Sequence, residues 1–354
     1  MFKGVFFSMD PGGTNAIIPI AKKIIEEDDV QTFNFAVSFA IPLWKQSGLE
    51  FTPLPNSISK EDIHQLLKKI NPDFLFTGTS EDTSMEGNFW LSAKQQNIFS
   101  YSIIDHWTRY KERYIVDGTF SPTDMIFTID EDSEKEMLSL GFEKEKIVVS
   151  GQPHFEKFYG FKSAFSRLQF CQDNRLSQKK IITFVSDNIA GSFPTLTPGK
   201  PVLGFDERTI LSELINEFER IPDLKNEFQL IIKLHPKEPE DNFSKLLGQT
   251  TMSYRIIKGG DNMDIIFHSD FVIGMFSMLL FEAYLMNKPV LSLQLNALKP
   301  IGFGLNKVPV VVEQKELMKS LRKFLMEGVQ PTPLPPKQAA TKIIEIIKNN
   351  LFPS

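Results

Sequence analysis

The sequence predicts an α/β protein of two domains, each built on a parallel sheet, and three observations carry that expectation. At 354 residues the chain exceeds the size at which a single hydrophobic core keeps growing, so two cores are expected. Short β-branched and aromatic runs alternate with amphipathic stretches, which is how repeated strand–helix units around a parallel sheet are written. The pattern also starts afresh near the middle, where residues 180–185 read as a new buried strand after a polar and aromatic stretch.

In the first half, strands are expected over residues 4–9, 34–38, 74–77, 100–104, 125–129 and 146–149, with helices over 15–27, 60–70, 85–96 and 131–140. In the second half the expected strands are 180–185, 229–234, 254–257, 271–273 and 289–293, and the helices 207–219 and 278–286. The boundary is expected within 155–178, which gives domains of 1–165 and 175–330. Residues 330–336 hold Pro331, Pro333, Pro335 and Pro336, which remove backbone donors and fix φ, so a stiff connector is expected there. Beyond it, Ile343, Ile344, Ile346 and Ile347 mark the apolar face of a terminal helix over 338–349.

Composition excludes several classes. A net charge of -5 without a lysine- or arginine-rich block offers no field for a nucleic-acid backbone, so no nucleic-acid partner is expected. Cys171 is the single cysteine; no intramolecular disulfide can form, and with scattered histidines no zinc site is expected. The apolar N-terminal run is too short for a secretory signal, and the longest apolar stretch, 271–286, is broken by Glu282.

Four constellations bear chemistry. Asp10-Pro11-Gly12-Gly13-Thr14-Asn15 follows the first strand; its glycines permit close ligand approach and the next helix start offers N–H groups to an anion, although an ordinary turn and cap would read the same way. Lys233-Leu234-His235-Pro236-Lys237 ends a strand with a histidine able to donate to phosphate in either charge state, or one that is merely structural. In 268–290, a strand, a small-residue turn and a helix opening near Ser277 are followed by Glu282 inside an apolar helix, where a carboxylate needs partners such as ribose hydroxyls unless it faces solvent.

The fourth lies in the first half: Thr77 to Glu86, and then Ile104-Asp105-His106-Trp107-Thr108-Arg109-Tyr110. Both loops follow strands and so open at the carboxyl edge of the sheet. They offer Asp105, Glu81 and Asp82 as candidate catalytic carboxylates, while Gly12, Gly13, Asn15, His106 and Arg109 are placed toward an acceptor. The competing reading is that Glu81, Asp82 and Glu86 charge and cap the helix start. Asp105 ends a buried-looking strand and is the first choice for a base.

The His235-Pro236 motif taken with 269–289 resembles the donor-binding domain of GT-B enzymes. It is similar to CDP-glycerol glycerophosphotransferases, capsule glycosyltransferases with a histidine-proline motif, and non-hydrolysing UDP-N-acetylglucosamine 2-epimerases. Residues 146–153 resemble the end of the N-terminal domain in the same group. The resemblance implies a GT-B-like fold, two Rossmann-like domains with parallel sheets facing across a cleft, with 336–354 crossing back to the first domain. It implies that His235, Ser277 and Met278 hold nucleotide phosphates and that Glu282 takes the ribose, and Ser186, directly after the strand at 180–185, joins that donor set. Gly274-Met275-Phe276 departs from the glycerophosphotransferase pattern, in which a more polar aspartate-tyrosine-serine stretch is expected.

The function implied first is a metal-independent glycosyltransferase of surface polysaccharide biosynthesis. It would carry no cofactor and use a nucleotide sugar of UDP or CMP/CDP type and a glycan or lipid-linked acceptor. Its expected place is the cytoplasm, with peripheral association at the inner membrane face left open. The alternative is a UDP-N-acetylglucosamine 2-epimerase-like epimerase or hydrolase, in which Asp82, Asp105 and His235 act on the bound sugar nucleotide itself.

Overall fold

A computed structural model of the chain describes residues 1–27, 29–80, 84–192, 201–301, 308–328 and 338–352. The proline-rich 330–336 connector and the candidates Glu81 and Asp82 lie outside the described residues. Two compact units emerge, Met1–Glu156 with Pro336–Ser354, and Lys157–Pro335.

The first unit begins with β1 (Phe2–Ser8), α1 (Pro11–Ile25), β2 (Val30–Ala36), α2 (Ala40–Ser47), β3 (Thr52–Pro53), α3 (Lys60–Ile70), β4 (Phe74–Thr77), α4 (Ser84–Gln95) and β5 (Phe99–Ile103). A short hairpin, β6 (Ile115–Val116) and β7 (Thr119–Phe120), precedes β8 (Met125–Thr128), α5 (Glu131–Ser139) and β9 (Ile147–Val149). Among the described residues seven strands form one sheet in the order β3-β2-β1-β4-β5-β8-β9, all parallel. The order reverses between β1 and β4, so the crevice beyond their carboxyl ends is where a ligand is expected.

Period-two alternation divides the core. Val5 and Phe7 of β1 join Leu75 and the α3 and α4 side chains Ile63, Leu67, Phe89 and Trp90, whereas Phe6 joins Phe74, Phe76, Ile17 and Ile20 on the opposite face. The isoleucines of the last helix, among them Ile343, Ile344 and Ile347, belong to that second cluster beside α1.

The second unit contains α6 (Arg167–Asp173), β10 (Lys180–Val185), α7 (Ile189–Ser192), α8 (Glu207–Glu219), α9 (Pro222–Glu227), β11 (Phe228–Lys233), α10 (Ser244–Leu247) and β12 (Tyr254–Ile257). It continues through α11 (Asn262–His268), β13 (Phe271–Gly274), α12 (Met278–Leu285), β14 (Val290–Leu293), β15 (Val310–Val311) and α13 (Leu317–Glu327); the last helix of the chain is α14 (Ala339–Leu351). Six described strands run parallel in the order β12-β11-β10-β13-β14-β15, reversing between β10 and β13. Helices α8 and α13 cover one face through Leu211, Leu214, Leu321 and Phe324, and Phe170, Cys171 and Ile265 pack on Ile181 and Ile231.

Two differences from the sequence reading have clear causes. The stretch 155–178 contains α6, whose Ser166 cap and two buried residues are too few to show a helical period. The helix expected from residue 15 starts at Pro11, because Asp10 accepts from the Gly13 N–H at 2.9 Å and proline is favourable in the first turn. Gly12 and Gly13 therefore lie in that first turn and not in a loop before it.

Candidate functional site

The switch point of the second sheet is the better built of two candidate regions. Ser186 and Asp187 leave the end of β10, His235 follows β11, and Met275, Phe276 and Ser277 lead from β13 into α12. Each loop is fixed by buried polar groups. The Met275 carbonyl accepts from the hydroxyl of Ser292 and from Gln294 at 3.3 Å, and both donors are buried. Glu207, at the start of α8, accepts from the N–H groups of Ile189 and Ala190 at 2.8 and 3.2 Å.

His235 is held by Glu238, which the sequence reading did not single out. The Glu238 carboxylate is 0% exposed and accepts from the His235 N–H at 2.7 Å, the Ser186 hydroxyl at 2.7 Å and the Asn242 amide at 2.8 Å. These donors offset the cost of burying the charge. Ser186 was expected to contact a nucleotide; with 3% exposure and its hydroxyl given to Glu238, it holds the loop instead.

The histidine ring has a defined tautomer. Its Nδ1 accepts from the Lys237 N–H at 3.2 Å, so the proton of the neutral ring sits on Nε2. Burial, with the charges of Lys237 and Lys233 beside it, lowers the His235 pKa below its ordinary value. At neutral pH His235 is thus a neutral Nε2–H donor, which narrows the expectation of a donor in either charge state.

Ser277 caps α12, accepting from the Leu279 N–H at 3.4 Å, and Met278 is half-buried as the first helical residue. The cradle at this helix start already holds a carboxyl oxygen. Phe276 N–H donates to Asp187 Oδ2 at 3.0 Å, and the N–H and hydroxyl of Ser277 act on the same carboxylate. Glu282, half-buried further along α12, acts electrostatically on the Lys157 ammonium. The signal for Asp187 in the sequence was Ser186-Asp187-Asn188 directly after a strand.

In the first unit the residues beyond β1, β4 and β5 converge. A Cβ on Gly12 would fall 1.7 Å from Asp105 Oδ2, and one on Gly78 would fall 2.7 Å from the Gly13 Cα. The glycines are therefore needed for this close approach of backbone and carboxylate. Asp105 pairs with Arg113 at 2.7 Å, and the same guanidinium donates to the Thr79 carbonyl at 2.9 Å and to the Thr108 carbonyl at 3.2 Å. Arg109, the cation expected here, is exposed with φ 56°, and the buried arginine on Asp105 is Arg113. His106 Nδ1 lies 3.0 Å from the Thr108 hydroxyl, while Asn15 is half-buried on α1.

Glu86, which the sequence offers either as a carboxylate of this constellation or as a helix-start charge, is 1% exposed and accepts from Ser80 at 2.7 Å. Burial raises its pKa well above the carboxylate range, with Asp10 and Asp105 adding to the effect and the Ser80 hydroxyl opposing it. Among the described residues no group of three His, Cys, Asp or Glu side chains could hold a metal ion, and no helix is long and apolar enough to cross a membrane.

Two parallel-sheet Rossmann-like halves give the chain the GT-B fold. No protein-family model matches the sequence, and no curated protein matches it. Solved structures match over the whole length. They include a putative UDP-N-acetylglucosamine 2-epimerase from Listeria monocytogenes, with TM-score 0.70 at 14% identity over 100% of this chain and 97% of that one. The UDP-GlcNAc 2-epimerase from Neisseria meningitidis bound to UDP-GlcNAc gives 0.68 at 14% identity, over 98% and 100%. The S. aureus MnaA–UDP structure gives 0.68 at 16% identity, over 99% and 97%. At these identities the likeness is one of fold.

Proposed function

We propose that this chain is a sugar-nucleotide enzyme of the epimerase or hydrolase type, acting on one UDP-sugar substrate without a second, acceptor molecule. The observation that carries the reading is the second sheet's switch point, where the start of α12 and the neutral Nε2–H of His235 supply donors for a diphosphate. Support for the single-substrate reading over the transferase expected first comes from fold neighbours such as the Neisseria meningitidis structure, described as a UDP-GlcNAc 2-epimerase bound to UDP-GlcNAc, beside the S. aureus MnaA structure, which holds UDP.

In this reading Ser277, Met278 and His235 hold the diphosphate and Glu282 takes the ribose. Fixed donors of this kind stabilise charge that builds on a departing diphosphate, without reorganisation at the moment of reaction. Asp105, oriented by Arg113, is the carboxylate that accepts or returns a proton at the sugar. In the same cluster burial pushes the Glu86 carboxyl well above its ordinary value.

Incubation with UDP-N-acetylglucosamine alone, followed by NMR of the sugar, tests the reading. Inversion at a sugar carbon or release of free sugar with UDP is expected. An unchanged sugar that is transferred only after an acceptor is added would return the transferase reading. A thermal-shift series with UDP, CMP, CDP and GDP tests the base, since a ligand at about 100 times its Kd stabilises a fold by about 2.7 kcal/mol.

A further inference from the structure

The loop after β10 brings a carboxylate into the place where the nucleotide reading puts a phosphate. Asp187 Oδ2 takes the Phe276 N–H at 3.0 Å, and Ser277, the cap of α12, acts on the same group through its N–H and hydroxyl. The loop that carries Asp187 is tied down on both sides, by Glu207 through Ile189 and Ala190 and by Ser186 through Glu238. The carboxylate is thus seated in the cradle by the fold. A phosphate entering there meets a negative charge in a poorly solvated place, and repulsion between two such charges is severe.

We propose that Asp187 is a binding determinant of this site, and that a UDP-sugar enters the cradle with uptake of one proton onto the Asp187 carboxylate. The neutral acid then donates its O–H to a phosphate oxygen where the ionised form would repel it. The inference rests on the nucleotide reading of the site and deepens it. Burial pushes Asp187 from its ordinary value up to about 7; the Phe276 N–H and Ser277 oppose that rise and Glu207 adds to it. The charged groups around the cradle are Glu207 and Asp206 at the start of α8, and Lys233, His235, Lys237 and Glu238 on β11 and the loop after it; the first turn of α12 brings no acidic residue. The His235 ring is lowered from its ordinary value, and among these groups Asp187 is the one whose carboxyl takes the N–H of Phe276 in the cradle.

The test is calorimetric titration of the full chain with UDP-N-acetylglucosamine from pH 6 to 8.5, in two buffers of different ionisation enthalpy. Both phosphates of that ligand stay ionised across the range. With Asp187 near 7, uptake should grow from about half a proton at pH 7 to about 0.9 at pH 8, and affinity should fall up to about tenfold per pH unit above 7. Asp187→Asn keeps an acceptor for Phe276 and should bind with neither uptake nor slope. Glu207→Gln removes a neighbouring charge and should move the wild-type slope to lower pH, which gives a second arm if Asp187→Asn does not fold. Equal proton uptake by wild type and Asp187→Asn, or a pH-independent wild-type affinity, overturns the proposal while leaving the nucleotide site standing. Absence of UDP-N-acetylglucosamine and UDP binding at every pH overturns the nucleotide reading and this inference with it.

Discussion

Arg113 Nη1 meets Asp105 Oδ1 at 2.7 Å, and the same side chain ties the carbonyls of Thr79 and Thr108 together, so one guanidinium fixes the loops beyond β4 and β5. Both partners are buried or nearly so, and removing one leaves the other charge without compensation. Arg113→Ala should therefore lower the stability of the first unit by about 3–5 kcal/mol. Arg113→Lys should recover only part of it, since an ammonium cannot span three planar acceptors. Urea unfolding of both variants checks the order. Asp105→Asn, measured well below its melting temperature, should lower turnover by about 10²–10⁴-fold with nucleotide affinity unchanged. Near-normal turnover would remove Asp105 from the chemistry.

Two glycines beside that pair should respond differently to alanine. At Gly12 the new Cβ meets Asp105 Oδ2, and relief there disturbs the Asp105–Arg113 pair, whereas at Gly78 it meets the Gly13 backbone. Gly12→Ala is expected to lose stability and turnover through that pair. Gly78→Ala should lose about 1–3 kcal/mol or more through overpacking. In an Arg113→Ala background the Gly12→Ala loss should shrink and the Gly78→Ala loss should not, and equal behaviour in thermal melts would contradict the geometry.

Glu86 makes a pH prediction. Its folded-state pKa is raised, so the stability it contributes is whole below the unfolded value of about 4.5 and is lost as pH rises through the folded value. Glu86→Gln cannot ionise. Relative to wild type it should gain melting temperature as pH rises from about 5 toward the folded value and then level off, and the sign of that slope is the readout. A gain that shrinks with rising pH would place Glu86 as an ordinary ionised carboxylate.

His235 and Glu238 should separate in the readout although they touch. His235→Ala removes a donor aimed at phosphate and should weaken UDP binding by roughly 1.5–3 kcal/mol with little loss of fold. Glu238→Ala deprives the His235 N–H, Ser186 and Asn242 of their acceptor, so it should lower both stability and affinity. Calorimetric titration beside a thermal melt of each variant distinguishes the two.

The last helix gives a purely structural prediction. Ile343 and Ile347 are fully buried in the cluster that holds α1 of the first unit. Either isoleucine changed to alanine should cost about 2–5 kcal/mol. Where the two units melt separately, the loss should fall on the transition of the first one.

Local pattern by itself determined the α/β class and several elements to the residue. The strand Lys180–Val185 and the helices Lys60–Ile70 and Glu207–Glu219 are read correctly because apolar periodicity and caps act over a few neighbours. It also offered Asp105, His235 and Ser277 as candidates, since polar residues soon after apolar strands stand out. What only the tertiary structure decided is who meets whom. Arg113 and not Arg109 reaches Asp105, because the turn through residues 108–113 brings the later guanidinium back to the strand end, and no period announces that. Glu86 reads as a helix-start charge until burial, with Asp10 and Asp105 near it, raises its carboxyl above the ordinary value. Asp187 and Phe276 lie far apart in the chain and become partners because β10 and β13 are neighbours in the sheet, and parallel pairing is set by long-range packing that a linear reading does not contain.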